Sequence, residues 1–269
     1  MTSVGRVLRS GHIFRRDGRT MVVAMDHARL TGSMPGLKDP GRTIESVMDG
    51  GADAIMTNFG VIKQFHDVIG GRVATILRLD SGPSVYASED FLSRCDLLYS
   101  VREAAALGAD GVIVFFMMGA PCEFDTIKTM GKVAEECESF GMPLLVEALP
   151  GGEGIDDPHE SCYVSAAVRI AQEYGADFVK TYYTGSPESF KDVIENCSIP
   201  VLIAGGSEGG PARDVLEMAK GAVDAGGRGV VFGRNVWAYK DPAAMTRAIS
   251  GIIHDNATVE EAMKEIEGA

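Results

Sequence analysis

The chain has 269 residues, of which 45% are hydrophobic and 23% are charged. These values are typical of a soluble globular protein and exclude an intrinsically disordered chain. The formal net charge of −13 argues against sequence-independent nucleic-acid binding, which requires a basic surface. The length is close to the roughly 250 residues of one (β/α)8 barrel, so we expect a single domain over residues 1–269.

The N-terminal sequence MTSVGRVLRSGHIF has no apolar core of the kind found in secretory signal peptides. No run approaches the roughly 18 consecutive apolar residues of a membrane span. Five cysteines are scattered along the chain without a C-x-x-C pair, as expected for reduced thiols. Together these features predict a cytoplasmic protein that does not act on membranes.

Short apolar runs recur along the chain, separated by longer amphipathic stretches. Eight can be counted, at Thr20–Met25, Ala54–Thr57, Val73–Leu79, Gly111–Phe116, Leu144–Ala148, Phe178–Thr181, Val201–Ala204 and Gly229–Phe232. Because the runs do not alternate apolar and polar residues, they suit parallel strands covered on both faces. The stretches between them predict helices, among them Phe91–Leu107, Asp125–Phe140, Glu160–Tyr174 and Ala212–Ala225. The order indicates an α/β fold.

A Gly-Ala-Asp turn precedes every second predicted strand. GGADAIMT begins at Gly50, LGADGVIVF at Leu107 and YGADFVKT at Tyr174, with GGRGVVFG at Gly226 as a looser copy. The glycine is expected to end the preceding helix in the left-handed conformation. Four repeats of two βα units predict a closed TIM (β/α)8 barrel, because an open doubly wound sheet has no reason for fourfold repetition.

Active sites of such barrels form where the strands end, and one lysine lies at such a position. Lys180 ends the apolar run DFVK, whereas most other lysines fall in predicted helices or loops. A lysine partly buried in a barrel mouth loses solvation of its charged form, and the neutral amine can attack a ketone to form a Schiff base. The position alone leaves open a simpler role in binding an anion or pairing with a carboxylate.

Glycine-rich turns follow the seventh and eighth runs, with IAGGSEGG at Ile203–Gly210 and FGRN at Phe232–Asn235. Backbone N–H groups can approach phosphate oxygens closely at such turns, and an arginine adds a charged contact. The alternative is that these glycines only form tight turns. The predicted phosphate-binding residues are Gly205, Gly206, Ser207, Gly233 and Arg234.

Carboxylates stand at three other strand ends, at Asp26, Asp80 and Glu147, where each can move protons, hold Lys180 or serve the structure. The five histidines show neither H-x-H nor H-E-x-x-H spacing, and the cysteines do not complement them. GGSEGG lacks the early strand and the acidic partner of a dinucleotide-binding loop. We therefore expect no metal and no other cofactor.

Four motifs cover nearly the whole chain: AMDH at Ala24, ADFVKTYYTG at Ala176, VLIAGGS at Val201 and GVVFGRNVW at Gly229. They resemble the archaeal-type class I fructose-bisphosphate aldolases, a family of DeoC/LacD-like Schiff-base aldolases that includes a quorum-signal thiolase and transaldolase-like synthases. The resemblance implies a homo-oligomer that acts on a phosphorylated sugar without metal.

By this resemblance Lys180 is the Schiff-base lysine, Asp26 lies near the reacting carbons, and the glycine-rich turns hold a phosphate. His27 resembles the histidine of the thiolase branch. The chain departs from the family at the fifth strand, where the fructose-bisphosphate aldolases carry W-x-Y-P and this sequence has EALP, with Leu149 at the position of the tyrosine.

Leucine cannot transfer a proton, so another residue must serve. Residues two apart on a strand face the same side, and we therefore predict Glu147 as the general acid/base, with its pKa tuned toward neutrality. The alternatives are Tyr182 and Tyr183 in that role, or a structural salt bridge at Glu147.

The first interpretation is an aldehyde-lyase that cleaves or forms a carbon–carbon bond in a phosphorylated ketose through an imine on Lys180. The second is a thiolase, acyltransferase or transaldolase-type synthase that uses Lys180 or His27 on a phosphorylated keto compound. The third is a non-catalytic barrel that binds phosphosugars, against which the lysine and the convergent carboxylates argue.

Overall fold

In the computed structural model, parallel strands close into a barrel in which each strand pairs with its sequence neighbours and the last pairs with the first. The predicted TIM-barrel fold is confirmed. The structure describes residues 3–206 and 210–268, so the predicted phosphate contact of Ser207 lies outside the described residues. The barrel strands are β1 (Thr20–Ala24), β2 (Ala54–Thr57), β3 (Ala74–Arg78), β4 (Gly111–Met118), β5 (Leu144–Pro150), β6 (Phe178–Thr181), β7 (Val201–Ala204) and β8 (Gly229–Phe232).

The described α-helices lie before, between and after these strands. They are α1 (Val4–Ile13), α2 (Ala28–Thr31), α3 (Pro40–Asp49), α4 (Phe59–Gln64), α5 (His66–Ile69), α6 (Val101–Leu107), α7 (Glu123–Phe140), α8 (Ser161–Glu173), α9 (Pro187–Glu195), α10 (Ala212–Asp224), α11 (Arg234–Trp237), α12 (Pro242–His254) and α13 (Val259–Glu267). None of these helices is long and apolar enough to cross a membrane.

Most buried hydrophobic side chains fill two layers, one between the strands and the outer helices and one inside the barrel. The inner layer includes Val22, Met56, Phe178 and Ile13, the last of which is fully buried at the end of α1. Helix α1 therefore closes the N-terminal end of the barrel. The opposite end, where the strands finish, stays available for polar side chains.

The Gly-Ala-Asp turns fix the start of the strands. Their glycines have positive φ, as predicted, at Gly51, Gly108, Gly175 and Gly226. In the third copy the backbone N–H of Asp177 donates to the carbonyl of Leu144 (2.9 Å), and the Leu144 N–H donates to the Asp177 carboxylate (2.8 Å). Equivalent carboxylate contacts join Asp53 to Met21 and Asp110 to Thr75. The repeat is thus a clamp between consecutive strands.

One predicted helix is wrong. The segment Phe91–Leu107 forms a 3-10 turn at Phe91–Ser93 and a short strand, Asp96–Leu97, which pairs antiparallel with Asp80–Ser81. Helix α6 begins only after Ser100, whose hydroxyl accepts from the Glu103 N–H while the Glu103 carboxylate accepts from the Ser100 N–H. This capping box fixes the start of the helix at Ser100. The helix therefore does not extend back into the short strand that precedes it.

Candidate active site

Lys180 and Glu147 are direct neighbours across two barrel strands. They are register partners on β6 and β5, and the Lys180 Nζ lies 2.5 Å from Glu147 Oε1. Both side chains are 8% exposed. Active sites of this fold form at the C-terminal ends of the strands. The two side chains are therefore a desolvated ion pair at the mouth of the barrel.

Arg78, at the end of β3, is the centre of the charged groups in the mouth. Its Nε lies 3.0 Å from Asp26 Oδ2 and its Nη1 3.3 Å from Asp80 Oδ1, while its Nη2 donates to Glu147 Oε2. Its guanidinium carbon lies 4.0 Å from the ring centre of Phe115. The Arg78 side chain is 1% exposed and joins carboxylates from three places in the sequence.

Arg78 is not among the residues predicted for the site, because it lies inside an apolar run and arginine is almost never fully buried. The sequence nevertheless indicates further buried cations, because three carboxylates at strand ends exceed the single lysine there, and buried charges require partners. Arg29 on α2 is the other missed residue, with its Nη1 3.4 Å from Asp26 Oδ2.

These cations decide the ionisation of the carboxylates. Burial alone would raise the pKa of Glu147, but the attraction of Lys180 and Arg78 outweighs it and holds that pKa below its ordinary value. The expectation that Glu147 is tuned toward neutrality is therefore wrong for the resting site. Burial is likewise outweighed at Asp26, where Arg78 and Arg29 hold the pKa well below its usual range. Asp80 differs, because burial prevails there and raises its pKa.

His27 lies beside Asp26 with its Nδ1 3.6 Å from Asp26 Oδ1. Its ring meets Trp237 edge-on, with 5.4 Å between ring centres, and the Trp237 Nε1 donates to the Ala24 carbonyl (2.8 Å). Burial lowers the pKa of His27 despite the nearby Asp26 carboxylate, so the imidazole is neutral near pH 7.

A cavity of about 190 Å³ joins the predicted residues. Lys180, Glu147 and His27 line it together with Gly205, Gly206, Gly233 and Arg234. Leu149 and Tyr182 also line it, which confirms that Glu147 and Leu149 face the same side of β5. Asp26 does not belong to the described lining of this cavity and contacts Arg78 instead.

The glycine-rich turns approach the cavity closely. A side chain at Gly233 would place its Cβ 2.6 Å from His27 Cε1 and 2.9 Å from the Ala24 carbonyl oxygen. Only glycine fits there without displacing these atoms. The Nε of Arg234 is buried and has no hydrogen-bond partner among the described residues, so this guanidinium retains donor capacity.

A larger cavity of about 570 Å³ lies at the other end of the barrel, beside His12, Asp110 and the start of β3. Active sites of this fold form at the C-terminal ends of the strands, so the smaller cavity is the candidate. Within residues 3–206 and 210–268, no three His, Cys, Asp or Glu side chains are placed to hold a metal ion.

A (β/α)8 barrel with a buried lysine at its mouth has the architecture of a class I aldolase. The chain belongs to the DeoC/LacD family of aldolases, whose model matches residues 20–239. This confirms the family that the sequence motifs indicated, and the protein is an aldolase enzyme.

Two curated relatives of the chain come from archaea. The chain is 36% identical over 263 residues to a 2-amino-3,7-dideoxy-D-threo-hept-6-ulosonate synthase of Halobacterium salinarum, covering 98% of this chain and 97% of the relative. A protein of the same name from Archaeoglobus fulgidus is 35% identical, covering 94% and 92%. A crystal structure of an archaeal fructose 1,6-bisphosphate aldolase superposes with a TM-score of 0.85 at 28% identity, covering 93% of this chain and 99% of that one.

A second solved structure, a Schiff base forming fructose-1,6-bisphosphate aldolase, gives a TM-score of 0.84 at 29% identity and covers 93% of this chain and 100% of that one.

Proposed function

We propose that the protein is a class I aldolase that acts on a phosphorylated keto compound, with Lys180 as its Schiff-base nucleophile. The observation that carries the proposal is the buried Lys180–Glu147 pair, with 2.5 Å between Nζ and Oε1, in the same cavity as Arg234. A barrel that only binds phosphosugars has no need of a desolvated lysine beside a carboxylate. We further propose, from the family resemblance, a cytoplasmic homo-oligomer.

Imine formation requires a neutral Lys180, and Glu147 is the acceptor within reach of its proton. The amine then adds to the substrate ketone to give a carbinolamine. Because the attraction of Lys180 is the leading interaction that keeps the pKa of Glu147 low, that pKa rises once the lysine charge is gone. Glu147 can then return the proton to the departing hydroxyl, which leaves as water.

The protonated imine is the electron sink for breaking the carbon–carbon bond. A base takes the proton of the substrate hydroxyl, an aldehyde departs, and an enamine remains on Lys180. Glu147 is our candidate for this base. Asp26 is held ionised by Arg78 and Arg29, so we assign it a constant negative charge that stabilises the cationic imine rather than a role in proton transfer.

The phosphate of the substrate is proposed to bind at the far side of the cavity, on the backbone of Gly205, Gly206 and Gly233 and on Arg234, with Ser207 as a further contact. Among the described residues, the unpartnered Nε of Arg234 and the open space beside Gly206 support this orientation. The ketone carbon then faces Lys180.

Aldol transfer is a second candidate reaction, favoured by one specific residue. Leu149 lines the cavity at the position of the family tyrosine and cannot protonate the enamine. A longer-lived enamine can react with a second aldehyde instead of a proton. The enzyme then acts as a synthase rather than as a lyase. The relatives from Halobacterium salinarum and Archaeoglobus fulgidus, named as synthases, support the same direction. The neutral His27 in the cavity is the feature that supports a thiolase-type reaction.

The test is a screen of phosphorylated ketoses for aldehyde release, each alone and with acceptor aldehydes that include an amino aldehyde. Lys180→Met is the inactive variant and Lys191→Met, at an exposed helical lysine, is the matched control. Aldehyde release without an acceptor identifies a lyase, and a product only with an acceptor identifies a transferase. Equal turnover by Lys180→Met and the wild type would overturn the proposal.

A further inference from the structure

We infer that Arg78 is a positioning residue, which fixes the Glu147 carboxylate against Lys180 and supplies the positive charge that the site retains when Lys180 becomes neutral. This inference rests on the proposed function, because it concerns the step in which Lys180 gives up its proton. None of the sequence motifs points to Arg78, and its role follows from its contacts.

The geometry of Arg78 is that of a fixed fork. Its three guanidinium nitrogens each contact a different carboxylate, on Asp26, Asp80 and Glu147. The ring of Phe115 covers the guanidinium, and the side chain is 1% exposed. A planar guanidinium held at three edges and one face cannot turn without losing several contacts. Lysine has no equivalent planar arrangement.

Both oxygens of Glu147 are in use. Oε1 contacts Lys180 and Oε2 accepts from Arg78. Because the carboxylate is planar, the bond at Oε2 determines how Oε1 is presented to the lysine. Without Arg78, the carboxylate is free to rotate away, and proton transfer loses its alignment.

Arg78 also contributes to the charge balance of the site. Lys180, Arg78 and Arg29 face three carboxylates, so the cluster is neutral in the resting site. When the proton moves from Lys180 to Glu147, two arginines and two aspartates remain, and the cluster is neutral again. The proton transfer therefore leaves the net charge of the desolvated cluster at zero. Removing Arg78 breaks this balance in both states.

Other groups also influence Glu147, and each must be considered when its ionisation is measured. Asp26 opposes ionisation of Glu147, whereas Lys180 and Arg78 favour it. Among the described residues, the charged or titratable groups that interact with Glu147 are Lys180 on β6, Tyr182 after β6, Arg78 on β3, and Asp26, His27 and Arg29 after β1. Arg78 is the cation among them that does not take part in the reaction and contacts Glu147 directly.

The first measurement is the titration of Glu147 in the ligand-free protein, by isotope-edited infrared spectroscopy with Glu147→Gln to assign the band. In Arg78→Met we expect the midpoint to rise by about 1–3 pH units, because one of two attracting cations is lost. Arg169→Met, at an exposed arginine that pairs with Glu173 on α8, is the control and should leave the midpoint unchanged. An unchanged midpoint in Arg78→Met would overturn the inference.

The second measurement is the rate at which dihydroxyacetone phosphate and cyanoborohydride form a covalent adduct on Lys180. Arg78→Lys keeps the charge but not the fork, so we expect a near-normal Glu147 midpoint and adduct formation at least roughly tenfold slower. A folded Arg78→Lys variant with a wild-type rate would contradict the positioning role. The Arg78→Lys variant also tests the positioning role if circular dichroism shows that Arg78→Met does not fold.

The two proposals fail in different ways. If none of the phosphorylated ketoses forms an adduct on wild-type Lys180, the proposed function is wrong, and the infrared midpoints of the ligand-free variants still show whether Arg78 controls Glu147. If the wild type forms the adduct and the Arg78 variants match it in rate and midpoint, only the inference about Arg78 is wrong.

Discussion

Glu147 is the residue on which proton transfer depends in this account. Glu147→Gln keeps the size and hydrogen-bonding capacity of the side chain but cannot accept the proton of Lys180, so we expect kcat to fall about 10²–10⁴-fold. Steady-state kinetics on the phosphorylated ketose found in the screen would measure the effect, with the exposed Glu153→Gln as control. Near-normal kcat, together with a large loss in Tyr182→Phe or His27→Asn, would transfer the role to one of those residues.

Arg234 is predicted to act on binding rather than on the chemical step. Arg234→Ala removes a charge-assisted contact worth about 1.5–3 kcal/mol, which corresponds to a roughly 10- to 150-fold rise in KM for phosphorylated substrates. The unphosphorylated analogue provides the internal control, because its KM should not change. An unaltered KM for the phosphorylated substrate would exclude Arg234 from the phosphate site.

Lys180, Glu147 and the glycine-rich turns could be predicted from sequence because they directly end the apolar runs, and the fold brings strand ends together. The ionisation of Glu147 could not, because it depends on Arg78, which is far from Glu147 in sequence and hidden inside an apolar run. Pairwise distances between buried charges are set by strand register and tilt, which a sequence pattern does not contain.

The Gly-Ala-Asp turns are predicted to stabilise the fold. Asp177→Ala removes the acceptor for the Leu144 N–H at the buried start of β5 and the contact of Asp177 with Arg6. We expect the free energy of unfolding to fall by about 1–3 kcal/mol, because a buried donor is left without a partner. Urea unfolding measures this, and the exposed Asp192→Ala on α9 is the control. Equal stability of the two variants would show that the clamp is dispensable.

Strands were more predictable than the segment after β3. Short apolar runs predict the bounds of β2, β6, β7 and β8 to the residue, since a strand buried on both faces is a nearly continuous apolar run. The helix expected over Phe91–Leu107 failed because the short strand Asp96–Leu97 is held by tertiary pairing with Asp80–Ser81. The local periodicity of a sequence does not show which distant segment a strand pairs with.

His254 joins residues that are far apart in sequence at the closed end of the barrel. Its Nδ1 lies 2.7 Å from Asp17 and its Nε2 2.9 Å from Asp53. Burial alone would lower the pKa of His254, but the hydrogen bonds to Asp53 and Asp17 outweigh it and raise that pKa above 6.5. The imidazolium therefore stabilises the folded state, and this contribution is complete below the unfolded pKa of about 6.5.

The contribution is lost as the pH rises through the raised pKa of folded His254. We predict that the Tm difference between wild type and His254→Gln is largest near pH 6 and shrinks toward pH 9. Differential scanning calorimetry across this range tests the prediction. A difference that stays constant with pH would mean that His254 stabilises the fold by packing alone.

The central claim is that a covalent imine forms on Lys180. The most direct test is borohydride reduction of the wild-type protein in the presence of the phosphorylated keto substrate, followed by mass mapping of the digested chain. We predict a reduced adduct on Lys180 that requires substrate and is absent from Lys180→Met. An adduct on a different residue, or continued turnover by an enzyme in which borohydride traps nothing, would contradict it.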